Sequence, residues 1–301
     1  MAEQQEKTFK YLDFDVLARI DDMKLLAQTV VEGFILGLHR SPFCGFSVEF
    51  AEYRQYVPGD EIRYVDWKLY GKTDRLYVKQ FEEETNLRCY ILLDCSASMG
   101  YGSKKITKLQ YGSYLAASLA YLMLNQRDSA GLVLFDSKIR DMYPPRSRQT
   151  HLHLMLTALE NLKADGATEV SRPFHELAQG LNMRGLVIVI SDLFDEPEKI
   201  MDGLQHFRFL GNDMIVFHLF DPAELELPFD SITEFIDPES NERVLTSPQA
   251  VRKKYQAEIA SFREKIEKGC ADLKADYQMI TTTTPLEIAL SQYLFHRSKH
   301  H

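Results

Sequence analysis

Cysteine is scarce and scattered. Cys44, Cys89, Cys95 and Cys270 form no Cys-x-x-Cys pair, which argues against both a thiolate zinc site and a disulfide framework. Every apolar stretch is interrupted by charged or polar residues before it could cross a bilayer, and no signal-peptide core stands near the start. The expectation is a cytoplasmic protein with no transmembrane segment. Net positive charge is missing too. Against 44 Asp and Glu stand 35 Lys and Arg, a formal net charge of -9, so neither nucleic acid nor an anionic membrane is expected as the main partner.

Catalytic signatures are equally thin. There is no Gly-x-Ser-x-Gly elbow around Ser96 or Ser98 and no Walker phosphate loop. Asp94 lacks the second aspartate two positions on that an aspartyl-phosphate phosphatase needs, because Ser96 stands there. Cys95 has Tyr101 where a cysteine phosphatase loop places its arginine. Of the nine histidines only His296 and His300 stand at His-x-x-x-His spacing, at the very end of the chain, where His301 follows. A chain with no evident base or nucleophile points to binding.

What is present is an ordinary globular composition, 45% hydrophobic and 26% charged, without internal repeats or low-complexity linkers. Leu87 to Gly100 stands out, an apolar run that ends in Asp94-x-Ser96-x-Ser98. A continuous run of this kind is what a strand covered on both faces looks like. Leu186 to Ile190 is a purer one, ending in Ser191-Asp192, and Met214 to Phe220 runs into Asp221-Pro222. Helical periodicity separates them over 107–125, 150–162 and 196–209. This alternation predicts an α/β fold, a doubly wound, mostly parallel sheet flanked by helices.

Around these elements the patterning predicts an amphipathic helix over 14–38 and a helical turn at 62–70 that carries Trp67. It also predicts a short strand from Ile139 stopped by Pro144-Pro145, and a helix capped by Ser171. Toward the end come a hairpin in 232–245, a long charged helix from Ser247-Pro248, a strand at 277–281 and a closing helix. Residues 1–85 are expected to form an N-terminal helix and β-containing extension, and 86–301 the main domain.

In open α/β sheets, ligands bind beyond the carboxyl ends of the strands. Asp94, Ser96 and Ser98 fall there, as does Asp192, while Thr168 follows a loop. All five offer hard oxygen, which suits a small divalent cation such as Mg2+. The alternative reading is that the serines cap the next helix and the aspartates sit in loops.

With that set of residues the chain resembles a von Willebrand factor A domain carrying a metal-ion-dependent adhesion site. The preceding stretch, with Tyr-Val-Pro-Gly-Asp at 56–60, Val-Asp-Trp-Lys at 65–68 and Val-Lys-Gln-Phe-Glu-Glu-Glu at 78–84, is similar to the bacterial family DUF58. The resemblance implies an Mg2+ ion (or Mn2+ or Ca2+) held by Asp94, Ser96, Ser98, Thr168 and Asp192, with an open coordination position for an acidic residue of a protein partner. It further implies a non-enzymatic adaptor working with a MoxR-type AAA+ ATPase in complex assembly or maturation. Many relatives carry an N-terminal transmembrane pair that this chain lacks, and Ala167 stands where a glycine is common. A metal-dependent phosphate-ester hydrolase using Asp94 is the alternative.

Overall fold

The structure, a computed structural model, describes residues 22–40, 53–55, 70–71, 75–79, 87–166, 169–180 and 184–299. The expected helix start at Phe14, the turn around Ile62 and Trp67 lie outside these, as does Thr168. The chain forms two compact units, one combining residues up to Phe34 with everything from Leu87, the other spanning Ile35–Asn86. Among the described residues the first helix is α1 (Met23–Arg40). In the smaller unit β1 (Tyr53–Gln55) pairs antiparallel with β2 (Tyr77–Lys79).

In the larger unit, α1 opens on Asp22, whose carboxylate accepts from the amides of Lys24 and Leu25 at 2.8 and 3.0 Å. That satisfies two of the amides a helix start leaves unpaired. Leu26, Val30 and Val31 are fully buried.

The chain then runs through β3 (Arg88–Asp94), a short 3-10 turn (Ala97–Gly100), α2 (Lys108–Asn125), β4 (Ser129–Phe135), β5 (Ile139–Arg146), α3 (Gln149–Glu160), α4 (Ser171–Gly180), β6 (Leu186–Ser191), α5 (Pro197–Phe209) and β7 (Asp213–Phe220). After α6 (Pro222–Glu226) come the hairpin β8 (Thr233–Ile236) and β9 (Arg243–Thr246), then α7 (Pro248–Asp272), β10 (Asp276–Thr281) and α8 (Leu286–Lys299). Six strands form one sheet in the order β10-β7-β6-β3-β4-β5, parallel except for the β4–β5 pair. β3, β6 and β7 are buried almost throughout, which is why their sequences are apolar at consecutive rather than alternate positions.

The winding order positions the site. From β3 the chain builds outward to β4 and β5, then returns to the other side of β3 for β6 and continues to β7 and β10. The direction reverses between β3 and β6, so the crevice of the sheet opens at their carboxyl ends.

Three details differ from the sequence expectation, and the first is that the helix expected over 14–38 is interrupted at Asp22, where α1 opens. β5 does not stop at Pro144-Pro145 but continues to Arg146, because it is an edge strand paired only with β4 and needs no second ladder. Ser171 does not precede α4 but is its first residue. The prolines do disturb the pairing, whose register slips between Ala130 and Leu132. Gly131 sits at the slip, and a Cβ there would meet Tyr143 O at 2.7 Å and Pro145 N at 2.8 Å. Both atoms are backbone, so the strands would have to part. Gly131→Ala should therefore lower the unfolding free energy by about 1–3 kcal/mol, the usual cost of overpacking, read as a lower urea midpoint at unchanged slope.

Candidate metal centre

Asp94 ends β3 and is wholly buried. Its Oδ1 accepts from the Ser96 amide at 2.9 Å and its Oδ2 from the Ser191 hydroxyl at 2.5 Å. The second contact lies one residue beyond the last registered pair of these strands, Leu93 opposite Ile190. The Ser191 oxygen in turn accepts from the Leu193 amide at 2.8 Å, which fixes the direction of its proton. Ser96 and Ser98 are buried in the 3-10 turn region with their hydroxyl oxygens 3.0 Å apart. Ser96 stands at the cap position of that turn without a side-chain capping bond, so capping does not account for its hydroxyl.

Asp192 follows β6 and is 2% exposed. Its Oδ2 takes a 2.7 Å ion pair from Lys108 Nζ, while its Oδ1 is buried without a hydrogen-bond partner. Burial and the charge of Asp192 together push the Asp94 carboxyl up from 3.8 to about 7, against the hydrogen bonds from Ser191 and Ser96. The charge of Asp192 thus disfavours the ionised form of Asp94.

Lys108 is the cation that the sequence pattern did not reveal. It is the first residue of α2, and a capping box places it there: Thr107 Oγ1 accepts from the Gln110 amide at 3.2 Å and Gln110 Oε1 from the Thr107 amide at 3.0 Å. Its ammonium, buried with the side chain 2% exposed, reaches Asp192 and, at 2.6 Å, Glu224 Oε1. Burial alone would lower its pKa, yet the two carboxylates outweigh this and hold it above the ordinary lysine value.

Glu224 does double duty, because its Oε2 accepts from the Asp221 amide at 2.7 Å in the capping box of α6. Asp221 itself is buried and accepts from the Ser103 amide and hydroxyl, the Ala223 amide and Thr282 Oγ1. Burial would raise its carboxyl, but these bonds prevail and hold it below the usual range.

Beneath Asp192 lies His218 of β7. Its Nε2 is 3.0 Å from the Asp192 carbonyl and its Nδ1 2.9 Å from the Tyr277 hydroxyl. A carbonyl only accepts, so Nε2 carries the proton and Nδ1 accepts from Tyr277. Burial drives the imidazole down to about 3, and both nitrogens are engaged. Cys95, a thiol beside the turn, is pushed up to about 12, chiefly by burial. Neither group is poised as base or nucleophile.

The loop before Thr168 is anchored on the same turn. Ala97 N donates to Gly166 O at 2.9 Å and Asp165 N to Cys95 O at 3.0 Å. Arg140 ties this loop down by donating to Lys163 O at 3.2 Å and to Asp165 O, while pairing with Asp136. Gly166 has φ +81°, and a Cβ there would lie 2.8 Å from Asp136 Oδ2, so the turn requires glycine.

The structure therefore brings Asp94, Ser96, Ser98 and Asp192 into one buried cluster and adds Ser191, Lys108 and Glu224. The donor set fits a small divalent cation. Its oxygens are hard, its carboxylates repel, and Asp192 Oδ1 is a buried acceptor with nothing to accept from.

A family model described as "Protein of unknown function DUF58" matches residues 52–265. The uncharacterized protein Rv1480 of Mycobacterium tuberculosis is 24% identical over 265 residues, covering 86% of this chain and 83% of its own. Among solved structures, BatB from Bacteroides thetaiotaomicron is similar with a TM-score of 0.48 at 15% identity, over 70% of this chain and 98% of that one. The SpRpn10 VWA domain matches with a TM-score of 0.44 at 11% identity, over 68% and 95%.

Proposed function

The chain belongs to the DUF58 family, and from that membership and the carboxylate cradle at the switch point we propose that it is a non-enzymatic, cation-dependent protein-interaction module. The observation that carries this reading is Asp192 Oδ1, buried and unpartnered beside an Asp94 carboxyl that the same aspartate drives upward. Asp94, Ser96, Ser98 and Asp192 would hold the ion, with Thr168 as a further ligand. Mg2+ is the first choice, with Mn2+ or Ca2+ as alternatives. When bound, such an ion supplies a coordination position that a partner's carboxylate completes.

The chain's own residues prepare that position. Ser191 orients Asp94, and Lys108 turns one Asp192 oxygen toward itself and leaves the other free. The neutral, doubly bonded His218 and the high Cys95 thiol support recognition rather than turnover. We assign the partner as a MoxR-type AAA+ ATPase presenting an acidic side chain, in complex assembly or maturation in the cytoplasm. Among the described residues no helix is long and apolar enough to cross a membrane.

Capture of the ATPase by the full chain tests this. Asp94→Ala, checked for fold by circular dichroism, should lose capture, as should wild type in EDTA. Capture that survives both would refute the proposal, and phosphate-ester turnover abolished by Asp94→Asn would replace it with a hydrolase.

A further inference from the structure

Two histidines that stand far apart in sequence are neighbours in the fold. His175 lies on α4, and Asp202 and His206 lie one turn apart on α5. His175 Nε2 is 3.1 Å from Asp202 Oδ2, and the two imidazole rings have centroids 3.9 Å apart with planes at 62°. One ligand atom from each of the three residues lies within 4.8 Å of the others. Ligands at the ~2.0–2.2 Å bond lengths of a tetrahedral zinc ion stand roughly 3.3 Å apart, so side-chain adjustment alone could close the gap.

The helices are held at this spacing by apolar contacts. Phe174, next to His175, packs on Phe207, next to His206, at 5.4 Å between ring centroids, and on Phe135 at 5.3 Å. Gly203 permits the approach, since a Cβ there would meet Phe174 Cδ2 at 3.1 Å and Ser171 Cα at 3.4 Å. The three side chains are thus assembled by the core without help from an ion, on elements separate from the Asp94 cradle. They remain open to solvent, with the His175 side chain 34% and the Asp202 side chain 59% exposed, so an ion has a path in.

We propose that His175, Asp202 and His206 form a second metal site, for a borderline transition-metal ion of the Zn2+ class rather than for Mg2+. Imidazole nitrogen is a good ligand for zinc, copper and nickel, whereas Mg2+ selects oxygen. Three converging protein ligands leave coordination open to water or to a group from another molecule. The competing account is a surface His–Asp pair and nothing more.

Competition between the full chain and a chromophoric chelator for Zn2+ at pH 7.5 decides between them. Wild type should bind one Zn2+ at this site. His175→Ala and His206→Ala should each weaken it by about 100-fold or more, since loss of an outer-shell partner alone costs about 10–100-fold. The same variants should lose the visible absorption of bound Co2+. A variant with His300 and His301 both changed to alanine should keep the site, as should Asp94→Ala, which separates this result from the fate of the Asp94 cradle. The proposal is overturned if wild type takes up no Zn2+, if His206→Ala binds it equally well, or if uptake disappears only with the terminal histidines. Because the ligands are partly exposed, circular dichroism of the variants should match wild type.

Discussion

Lys108→Ala is expected to lower the unfolding free energy by about 3–5 kcal/mol, the scale on which stripping one partner from a buried ion pair destabilises a fold. The magnitude follows from where its ammonium sits. Lys108 is 1% exposed and satisfies Asp192 at 2.7 Å and Glu224 at 2.6 Å. Without it both carboxylates are left in a poorly solvated crevice already crowded by Asp94. Lys108→Met should fall just as far or nearly so, because the apolar stem is retained and the charge is what matters. Urea unfolding reads the effect as a shifted midpoint, and a loss under ~1 kcal/mol would place the pair among ordinary surface contacts.

The second large effect is a pH dependence carried by Asp94. Its carboxyl titrates near 3.8 in an ordinary setting and is raised to about 7 in the fold. Between those values the folded chain keeps a proton that the unfolded chain has released, so stability falls as pH rises across this window. The contribution is fully present below pH ~4 and lost above ~7, on the order of 4 kcal/mol at about 1.36 kcal/mol per pH unit. In EDTA, wild type should thus lose stability between pH 4.5 and 8 relative to Asp94→Asn, which cannot ionise. Taking the difference between the two chains cancels other titrations. Asp221, held low, acts in a different window, since its stabilising effect is lost as pH falls below the ordinary aspartate value. Parallel pH profiles for wild type and Asp94→Asn would show that the carboxylates do not oppose each other.

Both effects arise at a place where sequence patterning was informative about one half of the chemistry. The apolar runs ending at Asp94 and at Ser191-Asp192 identify β3 and β6, because strands buried on both faces have no polar positions to spare. Their polar ends identify Asp94, Ser96, Ser98 and Asp192. Lys108 escaped because its function depends on Asp192 and Glu224, which reach it only through tertiary packing. A lone lysine opening an otherwise apolar helix was the available signal. Ser191 reads in the sequence as part of a strand end, and its hydrogen bond to Asp94 depends on the pairing of β3 with β6.

The same limit explains the other differences. Pro144-Pro145 reads as a strand stop until β5 is known to be an edge. His175 and His206 belong to different helices, so a search for paired histidines along one helix passes over them. Only Asp202-x-x-x-His206 was visible in the sequence, and a carboxylate with one histidine is not distinctive. Thr168 lies outside the described residues, and its part in the cradle rests on the resemblance of the sequence motif.

On the function proposed above, Asp94 and Asp192 form a cradle completed by a divalent cation. This is tested most directly by unfolding the full chain at pH 8 across a series of Mg2+ concentrations. The account predicts that wild type gains about 1.4 kcal/mol for each tenfold increase above the dissociation constant, while Asp94→Asn gains nothing. Stability independent of Mg2+ in wild type, or an equal gain in Asp94→Asn, would contradict it.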